Sequence, residues 1–377
     1  MESGHVNGQI GLWAGYNPRS PLVAAARPPT VVYDVGPPLN DLSLANHQLP
    51  STCIGQAVWM ASLGSMFGAG DSGTFLGLPS VTAEHVDGND IVVIGAPCAT
   101  PYASVGPYCK DAPAAIRAAS ATYSGIRHHH NFDLGGPMLV EGTTAADLGD
   151  VPWDDTAYEA NRAAIRHTCE TVLAARAVPV VLGGDDSIPI PVLQAYAGQG
   201  SITVVQIDAH IDWRDEVQGE RWGLSSTMRR ASEMSQVGEM IQVGRRGVGS
   251  ARPADLAAAE ARGVHFFGAR DVHRDGVAGV IDLVPRGGNV FITVDVDGLD
   301  PSLVPGVIGP EPGGLTYFQA IDIIDGVADR ARIVGFDVVE FVPERDVNGI
   351  GALTTFRLAA HAMGRISRQR ASAAATA

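Results

Sequence analysis

The chain predicts an α/β fold with a mostly parallel sheet, and three observations carry that expectation. Short aliphatic and β-branched runs alternate with longer helical patterns from about residue 86 onward. The runs are apolar nearly throughout, as in strands buried on both faces. Acidic residues stand directly after several of them, where open parallel sheets bind ligands.

Taken in order, residues 91–95 (Ile-Val-Val-Ile-Gly) read as a buried strand, followed by a long loop and a helical composition over 112–121. A long helix follows over 155–177, a strand at 178–182, a helix at 187–197, and strands at 202–207 and 240–243. Beyond these come a helix over 253–262, a short strand at 264–267, a strand ending at Asp295, a helix over 317–329 and a strand over 333–339. Alternation of this kind calls for parallel strands joined by helical crossovers, with both sheet faces covered. Residues 86–364 are expected to form one catalytic domain. Residues 1–85 are rich in Gly and Pro and read as an irregular arm with one short helix near 54–66. Its aromatic residues Trp13, Tyr16, Tyr33 and Trp59 suit a subunit contact better than a solvated tail. Residues 365–377, basic and then Ala-rich, read as a flexible tail.

Composition narrows the function. The net charge of −15, with 41 acidic against 26 basic residues, disfavours a nucleic-acid partner and favours a cationic substrate. Cys53, Cys98, Cys109 and Cys169 have neither CxxC spacing nor the density of a disulfide scaffold, so free thiols and a cytoplasmic setting are expected. The uncharged stretch 42–70 is too polar to span a membrane, and no secretory signal is read at the start.

The chemistry gathers in two stretches. Asp208, His210 and Asp212 follow the strand at 202–207, and Asp295 and Asp297 follow the one at 290–294. Alternate residues of an extended chain project to one side, so each set is expected to converge. Shared carboxylates with an imidazole suit Mn2+ and its neighbours, and such sites hold two ions about 3.5–4 Å apart with an activated water between them. Asp186 and Glu340 also follow strands and point at the same crevice. Against this stands the ordinary use of Asp to close strands and cap helices, which does not account for two such clusters after buried strands.

These residues, in order and spacing, resemble a known family. Gly183-Gly184-Asp185-Asp186-Ser187, the Asp208-Ala209-His210-Ile211-Asp212 run and the run from Val294 to Pro301 (Val-Asp-Val-Asp-Gly-Leu-Asp-Pro) are similar to the three signatures of the ureohydrolases, the arginase and agmatinase family. The similarity extends over 75–364 and includes 111–117, 147–150 and 337–341. The resemblance implies a three-layer α/β/α fold (arginase/deacetylase-like) with about eight mostly parallel strands. It also implies two divalent ions, Mn2+ or Ni2+, and hydrolysis of a guanidino group to urea and an amine. Carried over, the metal ligands are Asp186, Asp208, His210, Asp212, Asp295 and Asp297, and Glu340 is the carboxylate that holds the guanidinium. A homotrimer or hexamer is implied as well.

Two departures stand out. Asp186 occupies a position where the family usually carries His. The family's His-Gly pair after the first metal motif is missing from the stretch 220–230, leaving Asp212, Asp297, His273 or the run His128-His129-His130 to move the proton to the leaving amine. Trp222 and Trp213 are expected to narrow the substrate site. Guanidine or an N-alkylguanidine is therefore the favoured substrate, with agmatine or a guanidino acid as the alternative. A reading of another class makes the chain a noncatalytic subunit in a mixed oligomer with a paralogue.

Overall fold

The computed structural model describes residues 73–249 and 251–376. Eight strands form one sheet in the order β2-β1-β3-β8-β7-β4-β5-β6, and every pairing is parallel. They are β1 (Ile91–Ala96), β2 (Ala145–Asp150), β3 (Val178–Gly183), β4 (Ile202–Ile207), β5 (Val237–Arg245), β6 (His265–Gly268), β7 (Asn289–Asp295) and β8 (Arg332–Val339). The helices are α1 (Ala112–Ala121), α2 (Tyr158–Ala174), α3 (Pro189–Gln194), α4 (Thr227–Ser232), α5 (Pro253–Arg262), α6 (Ala269–Asp275), α7 (Ala278–Leu283), α8 (Tyr317–Arg330) and α9 (Ile350–Thr376). The expected α/β architecture is the one found.

Side-chain alternation along each strand divides the core into two layers. Val93, Val180, Leu182, Val205, Ile292 and Phe336 pack with α1, α6, α7, α8 and α9 on one face. Val92, Ile94, Val181, Val204, Phe291 and Val339 pack with α2, α3, α4 and α5 on the other. In α2, Ile165, Cys169 and Val172 recur at helical spacing and supply its buried stripe. Helix α8 opens on a capping box in which the Thr316 hydroxyl accepts from the Gln319 N–H at 3.2 Å, while Gln319 Oε1 accepts from the Thr316 N–H at 2.9 Å. Its Ala320, Ile323, Ile324 and Val327 then face the sheet.

Both ends of the expected domain need correction. The segment from 365 is not a flexible tail: it continues α9, with Ile366 and Ser367 buried. Gln369 Nε2 donates to the carbonyls of Ala328 and Ala331, both at 2.7 Å, and Arg368 Nη2 donates to the Pro137 carbonyl at 2.9 Å. Its polar side chains close carbonyls at the end of α8 and in neighbouring loops, so polarity here marks docking. At the other end the packed domain begins well before residue 86. Phe75 and Leu76 are buried, and their N–H groups donate to Asp147 Oδ2 at 2.7 Å and Ser120 Oγ at 2.8 Å. The expected helix near 54–66 and the aromatic residues of the arm lie outside the described residues. Strand β2, which the periodicity did not announce, forms a sheet edge and carries two aspartates, Asp147 and Asp150, among its six residues. Cys98, Cys109 and Cys169 are buried free thiols, and among the described residues no helix is long and apolar enough to cross a membrane.

Candidate metal centre

Strands β3, β8, β7 and β4 are consecutive in the sheet, and the chain leaving the carboxyl end of each brings one part of the site. Asp186 follows β3, Glu340 follows β8, Asp295 and Asp297 come from β7 and its turn, and Asp208, His210 and Asp212 follow β4. All except Asp208 line one cavity of about 190 Å³, together with Leu224, Ser225, Ile308 and Gly309. Asp208 lies against it, within ligand distance of both His210 and Asp186.

Convergence is achieved differently from the extended alternation expected. Asp295 caps a 3-10 turn at Val296–Gly298, accepting from the Asp297 N–H at 2.8 Å. The segment after β4 is also non-extended, and Asp212 has a φ of 43°. Glu340 has a φ of 69°. Neither is glycine, and left-handed backbone at such residues costs about 1–3 kcal/mol and concentrates at functional sites. Two motif glycines have steric reasons: a Cβ on Gly184 would fall 2.1 Å from the Pro97 carbonyl oxygen, and one on Gly298 would fall 2.6 Å from the Asp208 nitrogen.

Among the described residues, no lysine or arginine lines the cavity that holds these carboxylates. The His210 and Ala209 N–H groups donate to Asp208 Oδ1 at 2.5 Å and Asp297 Oδ1 at 3.1 Å. His210 Nδ1 lies 3.0 Å from Asp297 Oδ2 and 3.5 Å from Asp208 Oδ1. From beneath, Gln206 Nε2 donates to Asp208 Oδ2 at 2.6 Å and to Asp212 Oδ2 at 3.2 Å, while Gln242 Nε2 donates to Gln206 Oε1 and to the Ile211 carbonyl. Glu340 Oε1 accepts from the Tyr108 hydroxyl and, at 2.9 Å, from the Asp186 N–H.

Burial, and then repulsion from neighbouring carboxylates, hold Asp186, Asp212 and Asp295 well above the ordinary Asp range. Burial also pushes Glu340 up to about 8, although the hydrogen bonds from Tyr108 and Asp186 favour its ionised form. For His210, burial disfavours the charged form, but Asp208 and Asp297 outweigh it and raise the imidazole to about 12. The cation-free cluster therefore retains protons that divalent ions would displace.

Several expected residues lie elsewhere. Trp222 does not line the cavity: it sits in a surface groove with α2, where the Arg162 guanidinium lies 5.4 Å from its ring centroid. Trp213 is buried in the core layer beneath α2–α5. His273 Nε2 pairs with the Gly314 carbonyl at 2.9 Å on α6, outside the cavity. His129 and His130 line a separate groove with Phe132 and Arg357, and His128 is exposed beside them. Helical and loop placement, invisible in the local sequence, decided each of these. Gln206, Gln242 and Tyr108 were missed. For the two glutamines the available signal was an amide in each of the largely apolar runs 202–207 and 240–243.

A parallel α/β sheet with a cluster of buried, alternately placed acids at its carboxyl edge defines a metallohydrolase-like class. The comparisons agree with it. The profile of the arginase family matches residues 89–366. N(1)-aminopropylagmatine ureohydrolase of Thermus thermophilus is 33% identical over 255 residues, which is 67% of this chain and 84% of the relative. Proclavaminate amidinohydrolase of Streptomyces clavuligerus is 32% identical over 303 residues, 78% of this chain and 93% of that one. The solved structure of the Streptomyces clavuligerus enzyme aligns with a TM-score of 0.67 at 29% identity, covering 78% of this chain and 97% of its own. The chain belongs to the arginase family. It is a ureohydrolase, acting on C–N bonds of linear amidines in guanidino compounds.

Family members are binuclear and manganese-dependent, and typically oligomeric. The residues present fit such ions. Ligand atoms of Asp208, His210 and Asp297 lie within 4.8 Å of one another, as do those of Asp186, Asp208 and Asp295. Both oxygens of Asp186 are buried without a hydrogen-bond partner, a costly state unless a cation occupies the space they face.

Proposed function

We propose that this chain hydrolyses a small guanidino compound with a single cationic end, guanidine or an N-alkylguanidine, to urea and ammonia or an amine. Asp186, Asp208, His210, Asp212, Asp295 and Asp297 would hold two divalent ions, Mn2+ or Ni2+, which supply an activated water and neutralise developing charge. The carrying observation is the cavity itself. At about 190 Å³ it is smaller than the usual ligand pocket, and beyond its acids and His210 its lining is Leu224, Ser225, Ile308 and Gly309. Among the described residues, no lysine or arginine lines it to meet a substrate carboxylate.

Glu340 anchors the guanidinium in this reading. Its Oε1 is already engaged by Tyr108 and Asp186, which orients the carboxylate and leaves Oε2 for the planar cation. Leu224 and Ile308 wall the remaining space against water and against a long polar tail. Asp212, one of whose oxygens accepts from Gln206, would carry a proton toward the leaving nitrogen in place of His273, which pairs with the Gly314 carbonyl outside the cavity. In the balanced reaction water adds across the C–N bond, carbon keeps its oxygen as urea, and the displaced nitrogen leaves with the proton.

The alternative, agmatine or a guanidino acid, draws support from the names of the relatives. One panel decides: urea release from guanidine, methylguanidine, agmatine and 4-guanidinobutyrate, with Mn2+ or Ni2+ supplied. Turnover of the first two above the others is expected. Urea from agmatine and none from guanidine or methylguanidine would reject the proposed substrate.

A further inference from the structure

The residues at the crevice do not make two equal half-sites. Asp208, His210 and Asp297 form one group and Asp186, Asp208 and Asp295 the other, each with its ligand atoms within 4.8 Å, so Asp208 is common to both. The first group contains the one imidazole that lines the cavity among the described residues. The second offers oxygen alone.

Asp186 differs from its neighbours in how it is held. Its backbone is fixed at both ends, the N–H donating to Glu340 Oε1 at 2.9 Å and the carbonyl accepting from the Thr227 hydroxyl. Its side chain is bonded to nothing, although it is only 2% exposed and lines the cavity. Asp208, Asp212, Asp295, Asp297 and Glu340 each have at least one oxygen committed to an N–H or O–H donor of the chain. Among the acids of the crevice, Asp186 alone therefore presents two free acceptor atoms on a fixed backbone, and it gives one or two ligands where an imidazole gives one. Oxygen-only sets suit octahedral Mg2+, Ca2+ and Mn2+, whereas imidazole shifts preference toward Ni2+, Zn2+ and Cu2+.

We propose that the Asp186 half-site is a hard-cation site for Mn2+ or Mg2+, and that the His210 half-site is the one that retains a nitrogen-preferring ion such as Ni2+. The centre then loads with two different preferences, and the residue that sets them is Asp186. This deepens the reading of the crevice as a two-ion centre and rests on it.

The test counts ions, not turnover. The full chain is stripped with a chelator and dialysed against a series of Ni2+ and Mn2+ mixtures with Mn2+ in rising excess, set against the general Mn2+ < Ni2+ order of affinity. It is then desalted and analysed by mass spectrometry for both metals. The wild-type chain is expected to keep about one nickel and one manganese ion, Asp186→His to exchange its manganese for a second nickel, and Asp186→Asn to lose manganese while keeping nickel. Thermal unfolding of each variant reports folding, and Asp186→Asn keeps the side-chain size should the histidine not be accommodated. The proposal is overturned if the wild-type chain fills both positions with nickel, or if the nickel-to-manganese ratio is the same in the wild type and both variants. Urea release is read separately. A chain that keeps two like ions from the mixtures yet releases urea refutes the asymmetry alone, and one that loads unequally but releases no urea refutes the reaction alone.

Discussion

Two groups of buried carboxylates in this molecule are built on opposite principles. At the sheet edge, Asp147 is fully satisfied: Arg117 Nε and Nη2 donate to its two oxygens at 2.8 and 2.9 Å, and the N–H groups of Phe75 and Gly149 add bonds at 2.7 and 2.9 Å. Arg117 also donates to Asp150. In the crevice, among the described residues, five aspartates and Glu340 meet a single histidine and no arginine, and Asp186 has no bond on either oxygen. The edge cluster is complete in its own residues and holds the fold. The crevice cluster is incomplete in its own residues, and its excess acid is what a cation would balance.

Substitutions should separate the two. The largest expected effect is at Asp208, the carboxylate common to both half-sites. Asp208→Asn should lower turnover of whichever guanidino substrate proves active by on the order of a thousandfold, about 4 kcal/mol of barrier. Metal content per folded chain should fall with it, because both half-sites lose a ligand. Arg117→Met should act on the fold instead. Leaving Asp147 buried and unpaired costs about 3–5 kcal/mol in denaturant unfolding, while metal content per folded chain stays at the wild-type value. If Arg117→Met left stability untouched, the edge cluster would not have the structural role given to it.

A smaller effect is expected at Gln206, which keeps two neighbouring carboxylates oriented from below. Gln206→Leu should weaken metal binding about 10- to 100-fold by titration calorimetry, the usual range for a residue that orients ligands. Turnover at saturating metal should change less. An unchanged affinity would mean that the amide merely fills space.

The fold and the ligand set were legible for different reasons. Apolar runs at 178–182 and 202–207 announced β3 and β4 because strands buried on both faces have no other composition available. The ligands were legible through spacing and resemblance, although the geometry that joins them is a 3-10 turn and a left-handed residue, not a projecting strand. Edge strand β2 was not legible from periodicity: Ala-Ala-Asp-Leu-Gly-Asp lacks an apolar run, and its Asp147 is buried only because Arg117 arrives from α1. The end of α9 was misread because Arg368 and Gln369 look solvated until the carbonyls they cap are placed beside them. Trp222 and His273 show the same limit, since closeness along the chain to a ligand motif does not put a side chain in the cavity.

The central claim, that the crevice carries acid awaiting cations, is tested most directly by thermal unfolding of chelated and metal-loaded protein from pH 5 to pH 8. Glu340 and Asp337 are buried carboxyls raised to about 8, in each case mainly by burial. The Thr293 hydroxyl and Val294 amide only temper the shift of Asp337, neither of whose oxygens makes a well-directed hydrogen bond. A carboxyl raised in the folded state binds more protons folded than unfolded between its unfolded value, near 4, and its folded value, so stability falls as pH rises through that window. His210, raised to about 12, adds the same sign above its unfolded value of about 6.5. The chelated protein should therefore lose stability steadily toward pH 8, by about 5 °C or more in Tm, and loading with Mn2+ should restore it most at the high end. Chelated and loaded curves that coincide, or a chelated protein that gains stability as pH rises, would contradict the account.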